Sequence, residues 1–320
     1  MIKTKAIKKI FITTLITFIL FIVYLIPTIE ADNENILRTN LSIEHVNGIG
    51  THHIYLMNEE NLLVRSKILL DDEKEEQITT ILEHLTVGKK TIFPIELRSV
   101  IPKNTKILNV EQKDNTVTIN FSKEILLIEK ELERQLIEAI VFSITELDGI
   151  NEVIIYVENE VLKELPNSKE LLPSVLTRDI GINRKVNITS RNDITKVVIY
   201  YIEDIGNSRH YVPVTRYLND EREKIKVIIT ELTSSYIHES NLMSFFHQNV
   251  ELINYEERDN ILLLNFNEYL FNAEQEITEE VIGCLAHSVF SNYKHIDHIF
   301  IEVNEKQEKQ ISLSDFMSWK

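Results

Sequence analysis

The chain repeats itself at a nearly constant offset, and no other feature restricts its fold as much. Residues 97–124 read LRSVIPKNTKILNVEQKDNTVTINFSKE. They predict strands over 105–112 and 116–121, joined at Lys113-Asp114-Asn115, a polar corner with turn-forming Asp and Asn. Val117, Ile119 and Phe121 alternate with Thr116, Thr118 and Asn120, the period of a strand buried on one side. Residues 249–269, NVELINYEERDNILLLNFNEY, return the strand, the Asp259-Asn260 corner and the Asn265-Phe266 ending 145 positions later.

The other elements keep the same step. Residues 52–57 and 62–70 predict a hairpin around Asn58-Glu59-Glu60-Asn61, and Asp71-Asp72 offer an N-cap to a helix striped by Ile78, Ile81, Leu82 and Leu85. Gly88 ends that helix. A second helix is predicted over 129–147, with Leu132, Leu136, Ala139, Ile140 and Ser143 on one face and Asp148-Gly149 as its stop; a strand follows over 151–157. In the later half, residues 196–202 and 210–218 give the hairpin, and Asn219-Asp220 starts a helix. Its Ile225, Ile228, Ile229 and Leu232 lie 147 after the first stripe, and Ile277, Val281, Cys284, Leu285 and Ser288 lie 145 after the second. Residues 299–303 supply the last strand. A repeat this long is a duplicated domain, not a stacking solenoid unit.

Ahead of the duplication stand Lys3, Lys5, Lys8 and Lys9, then IFITTLITFILFIVYLIPTI over residues 10–29, 20 residues without a charge. That length matches a membrane-crossing helix, and lysines before it with Glu30, Asp32 and Glu34 after it predict a cytoplasmic N-terminus with the rest outside. A cleaved signal peptide is the competing reading, but Ile29-Glu30-Ala31 places Ile where a small residue is wanted. Residues 30–50 read as a tether. Between the copies, 171–184, LLPSVLTRDIGINR, is either a segment closing the first domain or a plain connector with a helical turn.

The formal charge of −16, about −20 for the exported part, argues against nucleic acid as a partner. With Cys284 as the only cysteine, neither an intrachain disulfide nor a Cys-based zinc site is possible. Cys284 stands where the first copy has Ala139, which reads as a small core residue. His52 and His53 alternate across a strand and so point apart, while His295, Asp297 and His298 read as surface residues entering a strand. Glu73, Glu75 and Glu76 read as a solvated helix face. The pairs Tyr200-Tyr201 and Phe245-Phe246 each predict one ring inside and one outside, with Tyr201 or Phe246 as a contact point. No Gly-rich phosphate loop, nucleophile elbow or H-E-x-x-H motif occurs, so the sequence assigns no catalytic residue, no cofactor and no metal ligand.

An export segment followed by two copies of this unit resembles the GerM family of sporulation and germination proteins, built from the GerMN domain. The resemblance is carried by residues 97–102 (LRSVIP), 115–122 (NTVTINFS), the helix face over 139–145 and residues 176–183 (LTRDIGIN). Family members are commonly lipoproteins, whereas this chain has no cysteine near its apolar run. Asn115 stands where Gly is usual, and Ser244-Phe245-Phe246-His247 replaces Ser-Val-Ile-Pro in the second copy.

The expected fold is therefore α+β: a basic segment at 1–9, a transmembrane helix at 10–29, a tether at 30–50, and GerMN-like domains at 51–160 and 195–320 joined by a linker and closing segment at 161–194. Each domain is expected to be a mixed sheet with two helices on one face. The resemblance implies a single-pass extracytoplasmic membrane protein. It would act without catalysis in sporulation, germination or envelope assembly, through an envelope protein partner or self-association. Binding of a cell-wall polymer such as peptidoglycan between the domains is the alternative.

Overall fold

The computed structural model describes residues 49–71, 74–89, 93–234 and 241–318, and residues 48–320 form one compact unit. The expected basic segment at 1–9, the expected membrane helix at 10–29, nearly all of the tether, and Asp72 and Glu73 lie outside the described residues. Among the described residues no helix is long and apolar enough to cross a membrane.

The first copy runs β1 (Ile49–Met57), β2 (Leu63–Asp71), α1 (Lys74–His84), β3 (Ile107–Lys113), β4 (Thr116–Phe121), α2 (Glu133–Ile144), β5 (Glu152–Val157) and β6 (Glu160–Val161). After β7 (Lys185–Asn187), the second runs β8 (Ile194–Ile205), β9 (Ser208–Asn219), α3 (Lys224–Thr233), β10 (Leu252–Arg258), β11 (Ile261–Phe266), α4 (Glu279–Asn292), β12 (His298–Val303) and β13 (Lys306–Ser312), with α5 (Leu313–Ser318) at the end. The predicted tandem α+β order is present, and details repeat as well. Asp114 and Asp259 both turn with positive φ, 54° and 52°, a conformation that Asp tolerates. The edge strands carry matching bulges, between Ile107 and Asn109 and between Leu252 and Asn254.

The sheets depart from expectation. Each copy was expected to hold one mixed sheet with both helices on one face, yet its strands divide between two sheets. The outer sheets, β3-β4-β5-β6 and β10-β11-β12-β13, each contain one parallel pair, β4 with β5 and β11 with β12. A parallel pair needs a long crossover, and α2 and α4 lie within those connections. The hairpins instead join across the copies: β1-β2 and β8-β9 meet at Arg65 opposite Tyr211, and β7 runs parallel to β9 beyond that point.

The reason is burial on both faces. Ile54, Tyr55, Leu56 and Met57 are consecutive and all buried, as are Tyr200, Tyr201 and Ile202. A strand like that belongs inside a molecule rather than on a one-sided sheet. Its outer edges are closed by helices: the Tyr55 N–H donates to Ser143 Oγ and the Tyr200 N–H to Ser288 Oγ, each at 2.9 Å. Contacts of this kind occupy part of the ladder that β1 and β8 would otherwise leave open.

The segment before β7 locks the junction. Leu176 pairs with Val153 through two backbone hydrogen bonds of 2.8 Å, and a 3-10 turn follows at Arg178–Ile180. Asn183 then reaches both hairpins. Its Nδ2 donates to the carbonyls of Leu63 and Pro213, and its Oδ1 accepts from the Leu63 N–H, all at 2.8 Å. Where β2 and β9 part, a side-chain amide takes over the work of a backbone one.

Candidate functional site at the junction of the copies

Three glutamates on or just beyond α2 hold the connecting segment. Glu133 accepts from the backbone of Asn167 and Ser168, and Glu138 accepts from the Asn183 N–H at 2.9 Å. Glu146 meets Arg178 at 2.9 Å and Arg65 at 3.6 Å, and accepts from the Tyr55 hydroxyl at 2.7 Å. Arg178 also donates to Thr145 Oγ1 and the Phe142 carbonyl, and its guanidinium lies 5.1 Å from the Phe142 ring centre. Burial works against the charge on Glu146, but Arg178 and Arg65 outweigh it and hold the carboxyl well below its usual range.

Around this cluster open two recesses that share Arg65, His287 and Phe316. The smaller, about 280 Å³, is lined by Arg65, Glu146, Arg178, Tyr200, His287 and Lys294 among others; the larger, about 900 Å³, by His53, Arg65, His210, Tyr211, His287 and Phe316 among others. His287 stacks on Tyr200 at 4.8 Å and has Tyr211 and Phe316 at 4.3 Å. Burial pushes His287 well below its usual pKa, and burial followed by the Arg65 charge pushes His53 down to about 3. An ionised carboxylate shared by two guanidiniums cannot serve as a proton donor, and these imidazoles stay neutral. The arrangement holds charge in place.

The residues singled out in the sequence are scattered. His52 turns to the Ser143 carbonyl, 3.1 Å away, while His53 faces the larger recess, so the two rings do point apart. His295 pairs with Glu257 at 2.8 Å and Asp297 accepts from Asn260 at 2.7 Å; among the described residues no three His, Cys, Asp or Glu side chains converge on a metal position. Cys284 is fully buried, and burial raises its thiol pKa. Glu76 is exposed.

The aromatic pairs need correction. Tyr201 is buried, not a contact point, because β8 is covered on both faces; Tyr200 is buried too and reaches only the wall of the smaller recess. Phe245, rather than Phe246, is the exposed ring of its pair; it has a positive φ of 62° and lies under the Arg209 guanidinium. The sequence reading missed Glu133, Glu138 and Glu146. Comparing the copies marks them, since Thr278, Gly283 and Ser291 stand 145 positions later where acids on a merely solvated face would be free to recur.

Two homologous α+β units, fused through one shared sheet and a polar recess, define a tandem-domain protein. The Germane family, described as sporulation and spore germination, matches residues 53–163 and again 198–309. This chain belongs to that family. It is 27% identical over 266 residues to the spore germination protein GerM of Bacillus subtilis (strain 168), covering 80% of this chain and 72% of that protein. The solved tandem GerMN domains of the sporulation protein GerM from Bacillus subtilis share the fold with a TM-score of 0.75 at 24% identity, over 82% of this chain and 96% of that one.

Proposed function

We propose that this protein is anchored by residues 10–29 with its tandem domains outside the membrane, and acts in sporulation, germination or envelope assembly by protein-protein association rather than catalysis. The observation carrying this reading is a duplicated strand edge. Among the described residues β3 and β10 each pair on one side only, and Leu108 and Ile253, 145 positions apart, stand exposed on them at 45% and 53%. An apolar residue on an open edge is a template for a further strand, supplied by an envelope protein or a second copy. Presenting two such edges from one tethered molecule raises the effective concentration of each. The test is crosslinking in cells from Leu108→Cys and Ile253→Cys, with buried Cys284 as the silent background. Capture of a second copy or a defined envelope protein is expected; a monomer in solution with no captured partner overturns the reading.

The aromatic-lined recess between the copies supports a second reading, binding of a cell-wall polymer. Titration with peptidoglycan fragments checks it, and a flat response counts against it.

A further inference from the structure

The charges around the smaller recess do not balance. Arg65, Arg178 and Lys294 stand against Glu146 and the exposed Asp148, a surplus of one positive charge in a chain whose formal charge is −16. The surplus is also under-bonded. The single ion-pair partner of Arg65 among the described residues is Glu146, at 3.6 Å, beyond hydrogen-bond distance, although the Arg65 side chain is only 11% exposed. Lys294, at the mouth, makes no hydrogen bond or ion pair with any described residue. The Arg65 donors that Glu146 does not engage are left to the recess or to water. Asn183, by contrast, meets all its partners only a few residues from Arg178, so the fold is able to satisfy buried polar groups here.

The rest of the lining mixes apolar side chains, Tyr200, Phe290, Leu313 and Phe316 among them, with polar ones such as Asn151 and Ser291. The volume of about 280 Å³ sits near the small end of sites for organic ligands.

We propose that this recess binds a compact monocarboxylate with an apolar body, its oxygens taken by Arg65 and Lys294 beside Arg178 and its body seated against Tyr200 and Phe290. The planar Arg65 fork matches a carboxylate in shape, Arg178 adds charge beside it, and a single negative charge matches the surplus, whereas a phosphate dianion exceeds it. The site is formed by both copies, Arg65 and Arg178 preceding the second and Tyr200, Phe290 and Lys294 belonging to it. The inference is independent of strand-edge association, which is read at Leu108 and Ile253.

Calorimetric titration of the purified full chain with hippurate tests it, with hippuramide and inorganic phosphate as comparators. Saturable one-to-one binding of hippurate is expected, with hippuramide and phosphate at least about tenfold weaker, the size of one charge-assisted hydrogen bond. Lys294→Gln, at an exposed position, should leave the melting temperature unchanged and weaken hippurate about tenfold. Absence of saturable hippurate binding, equal binding of hippuramide, tighter binding of phosphate, or unchanged affinity in Lys294→Gln each overturns the proposal.

Discussion

The two copies solve one packing problem with different chemistry. In the first, Tyr55 meets Phe142 edge-on at 5.6 Å, and the guanidinium of Arg178 lies over the Phe142 ring while Glu146 answers its charge. At the equivalent positions the second has Tyr200, His287 and Ser291, and the cover is Phe316 of α5. Glu138, which holds the connecting segment, is matched by Gly283, where a Cβ would overlap the Tyr211 hydroxyl and come within 2.8 Å of Cζ. One copy is closed by buried charge and the other by stacked rings. The difference follows from what each must hold: the first grips a connector that has to reach the second copy as well, and directional bonds fix such a strap in register where ring contacts would let it slide.

That contrast can be broken by substitution. Glu146→Gln strands two guanidiniums and should cost about 3 kcal/mol, whereas Ser291→Ala at the matching place should stay within about 0.5 kcal/mol; urea unfolding measures both. Equal effects would erase the distinction. Gly283→Ala should cost about 2 kcal/mol despite the better helix propensity of Ala, because the added Cβ overlaps the half-buried Tyr211 ring, which must shift. Adding Tyr211→Phe should recover part of that loss, and a double-mutant cycle reads the coupling. Asn183→Ala removes three hydrogen bonds between the hairpins and should cost about 2 kcal/mol, with a broader urea transition as the copies begin to unfold separately.

The smallest effect concerns acid. The folded pKa of His53 lies below its ordinary 6.5, so its contribution to stability is complete above pH 6.5 and is lost as pH falls toward about 3. Glu146 is likewise depressed, and its contribution drains away on acidification below its ordinary 4.5. The melting temperature of His53→Asn should therefore fall less steeply than wild type between pH 6.5 and 4.5. His287 acts in the same direction and keeps the slope from vanishing.

The repeat was legible because each copy buries the same stripes: Ile78, Ile81, Leu82 and Leu85 recur as Ile225, Ile228, Ile229 and Leu232, all buried. Alternation in residues 116–121 gave the strand and its corner for the same reason. The shared sheet was not legible, since the partner of β2 lies in the other copy and pairing across such a distance leaves no local period. Glu133, Glu138 and Glu146 look, along one helix, like ordinary solvated acids. Only their loss from the second copy separates them. Arg65 and Lys294, about 230 positions apart, share a recess that no window of sequence could bring together.

Asn58 donates to Glu203, its own counterpart 145 positions later. Self-matching contacts of this kind are what two identical molecules make about a twofold axis. A chain carrying one copy would have to meet a second molecule to bury the same hairpin, and its folding would respond to dilution. Joined in a single polypeptide, the halves meet at any abundance, and each is free to diverge without waiting for the other.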